Sequence, residues 1–318
     1  MNDKQINRYL RSRFSQVAWT LIVYYLMMTL LAAVSMELDI ACQMLWGFLS
    51  GEPAGTVDME AISGNAWSYV VTIVAGGMIL YGWQGLDFWK REVMVKDKSM
   101  RPGVLLCLVV LCMGAQMANS LWISLLETLL YPFGMSVMPV LETVSGQSDT
   151  FSMFLYASLL APVSEELLFR GFVLGKLRPF GKRFAVLGSA ILFGLFHGNL
   201  LQTPYAFIMG LLFGYVTVEY SIGWAVALHM FNNLVLAELL SRVTALWSDM
   251  AYGVLNMVLF GGAFVASLGI LTAKRRKVRK YRRSEWIDRR CVKWFFLNSG
   301  MVVFTGMMLW SMISLLFV

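Results

Sequence analysis

Six polar side chains stand out from an otherwise apolar stretch: Glu165, Glu166 and Arg170, then His197, then His229 and Asn233. The two imidazoles are the only histidines in the chain. Ionisable groups in hydrocarbon cost several kcal/mol each unless paired or wetted, so such a set marks a buried polar site. Glu166 and Arg170 are four apart, which puts them on one helix face as an ion pair and turns Glu165 about 100° away. One carboxylate is thereby neutralised and the other left free to act. His229 and Asn233 share a face by the same spacing, while Phe193, four before His197, suits a packing wall. A carboxylate with an imidazole can deprotonate water, and the remaining donors can stabilise the oxyanion of a tetrahedral intermediate, which together is amide-bond hydrolysis. A serine or cysteine nucleophile is less attractive, because no G-x-S-x-G elbow is present and no cysteine neighbours a histidine. The zinc motif H-E-x-x-H is absent too. His197, His229 and Glu165 could still hold zinc with an open position, so zinc is the alternative to a reaction without cofactor, which is favoured.

The elements that position these groups are membrane helices. The 318 residues are 58% hydrophobic and only 14% charged, too apolar for a soluble domain. Runs of about 17–25 apolar residues match a ~30 Å hydrocarbon layer. Nine occur, near 16–35, 66–84, 103–125, 151–175, 184–199, 203–219, 222–241, 251–273 and 294–317. The expected fold is all-α, a polytopic transmembrane bundle of about nine spans. Counted from helix ends, Glu165, His197 and His229 fall roughly 16, 20 and 10 Å deep, close enough to meet if the helices tilt.

Charge tests that count. Basic residues gather in Lys4 to Arg13, in Lys90, Arg91, Lys96, Lys98 and Arg101, in Lys176 to Arg183, and in Lys274 to Lys293. The alternate loops 36–65, 126–150, 200–202 and 242–250 hold Arg242 and no other basic residue. By the positive-inside rule the chain is a multi-pass cell-membrane protein, with its amino terminus in the cytoplasm and its carboxyl terminus outside. The net charge of +7 is explained by these anchors on anionic lipid, and nucleic acid is not an expected partner. The 36–65 loop, with Trp46 and Phe48, suits a short interfacial helix. The 126–150 connection, punctuated by Pro132, Pro139 and Gly146, divides a three-span region, 1–150, from a four-span core, 151–245. A two-span region with a polybasic loop, 246–318, follows. In the core, Gly171 and Gly175, Gly194 and Gly198, and Gly210 and Gly214 repeat at four-residue spacing, which lets helix backbones approach.

Glu165-Glu166-x-x-x-Arg170, Phe193-x-x-x-His197 and His229-x-x-x-Asn233, with Phe169-Arg170-Gly171, resemble the ordered motifs of the CPBP family. That family comprises the CAAX proteases and bacteriocin-processing, Abi-like membrane endopeptidases. The resemblance covers about 155–240. It implies an intramembrane protease acting on a membrane-associated protein or peptide, in CAAX-type processing or in leader processing and self-immunity. It further implies that Glu165 and His197 activate water, that His229 and Asn233 stabilise the oxyanion, and that Glu166 and Arg170 support the site. The family is labelled both a metalloprotease and a glutamate-dependent, metal-free protease. Expected partners are membrane lipid and the peptide or protein substrate. The competing readings are a non-catalytic immunity or scaffold protein and, behind it, a proton-coupled transporter using Glu165, Glu166 and His229.

Overall fold

The computed structural model describes residues 2–51, 57–58, 62, 65–90, 98–145, 150–244, 247–284 and 287–317. Arg91, Lys96, Gly146 and the 245 boundary, all used above, lie outside them. Among the described residues there are helices and no strands, so the fold is an all-α polytopic bundle. Among the described residues five helices are long and apolar enough to cross a membrane, and six if a pair bent by 59° counts as one span.

α1 runs from Asp3 to Ser50. Asn2 starts it with a reciprocal cap, its side chain accepting from the Gln5 amide at 2.9 Å while the Gln5 side chain accepts from the Asn2 amide at 2.9 Å. Gly51, at φ 74°, ends it in the left-handed conformation that glycine adopts without strain. The expected 36–65 loop therefore begins as helix: no proline interrupts 36–50, and α1 reaches ~70 Å, more than twice the hydrocarbon thickness. Its buried side chains, Leu10, Phe14, Val17, Ala18, Leu21 and Tyr24 among them, belong to its first half, whereas Trp46, Phe48 and Leu49 are exposed.

α2 (Trp67–Gln84) and α3 (Pro102–Leu130) follow, then α4 (Phe151–Phe180), which carries the two glutamates. α5 (Lys182–Phe196) and α6 (Thr203–Glu219) are 15 and 17 residues, about one turn short of spanning unaided. They pack closely on small residues. A Cβ at Gly210 would lie 2.9 Å from the Ala190 Cα, and one at Gly194 would lie 2.9 Å from the Thr203 carbonyl oxygen. α7 (Ile222–Thr244) carries His229, α8 is Met250–Ala273, α9 is the basic Arg275–Ser284, and α10 (Arg289–Phe296) with α11 (Ser299–Ser314) forms the bent pair. All nine apolar runs are thus helical. Phe14 of α1 packs on Phe180, Phe184 and Phe295 at 4.9, 5.5 and 5.8 Å between ring centres, joining both termini to the core.

Candidate active site

α4 is not a uniform α-helix. Its turns widen to i→i+5 bonding at Tyr156–Leu160 and again at Leu167–Val173, with one ordinary stretch, Ala161–Glu166, between them. Pro162 accounts for the first widening, because its ring crowds the preceding turn and it offers no N–H to it. Such wide turns free backbone carbonyls and are common at functional sites. α7 widens likewise at Asn232–Leu239, opposite the first wide turn of α4.

The ordinary stretch ends on the two glutamates, which part company as the spacing requires. Glu166 is fully buried, with Oε2 3.1 Å from the Arg170 Nε, whose side chain is also fully buried. That contact is an ion pair without hydrogen-bond alignment, since Glu166 Oε2 and all three Arg170 nitrogens lack a hydrogen-bond partner. The guanidinium is held from its faces instead, 4.2 Å from the centre of the Phe193 ring and 5.5 Å from that of Phe213. Phe193 is therefore more than a wall beside His197.

His229 joins the carboxylates. Its Nδ1 donates to Glu166 Oε1 at 2.9 Å, and its Nε2 faces Glu165 Oε2 at 3.9 Å. The ring stacks on Phe213 at 4.7 Å. Glu165 keeps 31% of its side chain exposed, in contrast to its neighbour. His197 sits at the end of α5, where Gly198 takes φ 62° and the chain turns back. Its Nδ1 donates to the Phe193 carbonyl at 2.8 Å, leaving Nε2 as the open nitrogen. Both imidazoles meet the edge or face of the same Phe193 ring, His197 at 4.9 Å and His229 at 6.1 Å. The Glu165 carboxylate thus faces the His229 imidazole.

Asn233 is engaged elsewhere than expected. Its amide donates to the Ala157 carbonyl in the first wide turn of α4 at 3.1 Å, and its oxygen accepts from Asn232 at 3.1 Å. Asn232 in turn accepts from Gln116 on α3 and from the Tyr205 hydroxyl on α6, both at 3.0 Å. Spacing within one helix could not reveal this network, because its members come from four helices; the one signal was a second amide beside Asn233. Among the described residues no group of three His, Cys, Asp or Glu side chains converges as a metal-holding set, so Glu165, His197 and His229 do not fit zinc in this arrangement.

A fully buried ion pair, an imidazole between two carboxylates and a second imidazole on the same aromatic ring can bind and polarise water and a carbonyl group in a largely dry site. No curated protein and no solved structure matches the chain. Residues 147–235, the stretch that contains all six of these polar positions, match the Rce1-like family, described as type II CAAX prenyl endopeptidase, in agreement with a CPBP-type intramembrane protease domain.

Proposed function

We propose that this protein is an endopeptidase that hydrolyses a peptide bond of a membrane-associated protein or peptide, with Glu165 as the base. The observation that carries this reading is the imidazole of His229 held at Nδ1 by a buried carboxylate and facing, at Nε2, a partly exposed one. Glu165 takes a proton from water, and the oxygen bonds to the scissile carbonyl carbon. The carbon–nitrogen bond then breaks, and the proton passes to the departing amine. His197 accepts a hydrogen bond from the same water at Nε2. His229, held at Nδ1 by Glu166, donates from Nε2 to the oxyanion in its doubly protonated form. Asn233 positions rather than reacts: it fastens α7 to α4 one turn beyond His229. The substrate is of the CAAX type or a peptide leader, and no step requires a metal.

Purified protein in lipid, given a library of prenylated and unmodified carboxyl-terminal peptides, tests this. Glu165→Ala is expected to lose at least ~10²-fold in cleavage rate, as removal of a general base does, with unchanged helix content. Equal cleavage by the variant would overturn the assignment. The same assay after removal of divalent metals with a chelator, checked by elemental analysis, is expected to retain most activity; restoration by added zinc would favour the metalloprotease alternative.

A further inference from the structure

A cavity of about 720 Å³ lies between α1, the end of α2 and the last turns of α4, outside the polar site. α1 lines it with Ser12, Gln16 and Thr20, which recur every four residues and so occupy one face. Arg13 and Lys176 add two basic side chains. Lys176 is steered by a ring, its Nζ 4.5 Å from the centre of Phe88. Gly175 makes room for that ring: a Cβ there would lie 3.3 Å from Phe88 Cζ.

The wall also changes along its length. The two basic residues lie near the start of α1 and the end of α4, whereas Val23 is ten residues past Arg13, about 15 Å along the helix, and Trp19 and Phe172 line the cavity as well. Polar donors and cations at one end with an apolar continuation match an amphiphile. Free phosphate would use only the first part, and a cationic ligand would meet like charge.

We propose that this cavity binds an anionic membrane phospholipid, with its phosphate at Arg13 and Lys176 and its chain along Trp19, Val23 and Phe172. The site uses none of the residues assigned to peptide hydrolysis, so it stands or falls independently of that activity. A lipid held there packs α1 against α4 and becomes part of the structure.

Binding to the purified full-length protein in detergent, measured by native mass spectrometry and by thermal melting, tests the site. Phosphatidylglycerol is the probe, with phosphatidylcholine and inorganic phosphate as comparisons. Phosphatidylglycerol is expected to remain bound and raise the melting temperature, while phosphatidylcholine and phosphate do neither. Arg13→Gln with Lys176→Gln is expected to weaken it ~30-fold, at roughly a factor of five per basic residue. Arg276→Gln with Lys280→Gln, on the exposed basic helix, is expected to leave it unchanged. Thr20→Trp fills the cavity without removing charge and is expected to displace the lipid while helix content is preserved. Equal retention of phosphatidylcholine, an effect reproduced by phosphate alone, or an equal loss in the α9 pair would overturn the proposal.

Discussion

The two adjacent glutamates divide their work because a helix turns about 100° per residue. Glu165 and Glu166 were legible as candidates, and so was the Glu166–Arg170 pair, since four-residue spacing fixes a shared face. The second task of Glu166 was not legible: it also holds His229 Nδ1, 63 residues away, and only packing of α7 against α4 brings the two together. This sets the expected effects of substitution. Glu165→Gln removes the base and should abolish cleavage at normal stability. Glu166→Gln should reduce turnover too, by releasing the imidazole, and should lower stability by leaving a buried guanidinium without its counter-ion. Arg170→Ala leaves the buried carboxylate unpaired instead, and loss of one partner of a buried pair costs about 3–5 kcal/mol. Thermal melting alongside peptide cleavage separates the cases. Arg170→Ala melting like wild type would show that Phe193 and Phe213, rather than charge pairing, dominate that pocket.

Helices, unlike side-chain networks, announce themselves through long apolar runs, and every run read from the sequence is helical. What escaped is how each helix departs from regularity. α1 continues past its apolar run because nothing in 36–50 stops it, and of the wide turns in α4 and α7 only the one before Pro162 has a cause in the local sequence. The four-residue glycine spacing was informative for a physical reason: it places backbones in contact where packing, not hydrophobicity, drives association. Gly210 is the strongest case, since an added methyl group would meet the Ala190 backbone at 2.9 Å and its Cβ at 3.0 Å. Neither atom can rotate away. Gly210→Ala should therefore push α6 from α5 and destabilise by about 1–3 kcal/mol. Gly77 on α2 has nothing within 4 Å of an added Cβ, so Gly77→Ala should melt at or above the wild-type temperature. Equal melting of the two variants would mean that α5 and α6 adjust freely, and that glycine spacing carries no structural requirement here.

At the scale of the molecule, contacts at the two ends of the bundle bear on the number of crossings. Arg290 pairs with Asp3 at 3.1 Å, Trp294 donates to Asn7 at 3.0 Å, and Phe14 meets Phe180, which gathers three basic segments at the start of α1. Lys98 near Glu219 at 3.7 Å and Lys176 over Phe88 bring further loops to the same end. A different set meets at the other end. Ala66 donates to Ser152 at 3.1 Å, Trp122 donates to the Leu200 carbonyl at 3.0 Å, Arg242 lies over Phe154, and Leu315 packs near Leu201 and Val137. The nine apolar runs extend between the two sets, although α2, α5 and α6 are too short to cross a membrane by length alone. Crossing by these three would require neighbouring helices, not lipid, to satisfy their ends. The charge rule makes a cytoplasmic basic end the expectation to test. Single cysteines introduced in a cysteine-free background at exposed Arg276 and Ser136 should then label oppositely with an impermeant maleimide. Ser136→Cys is expected to react in intact cells and Arg276→Cys only after permeabilisation. Labelling of both from one side would require an even number of crossings between them, and would turn at least one short helix into a segment that enters and leaves by the same face.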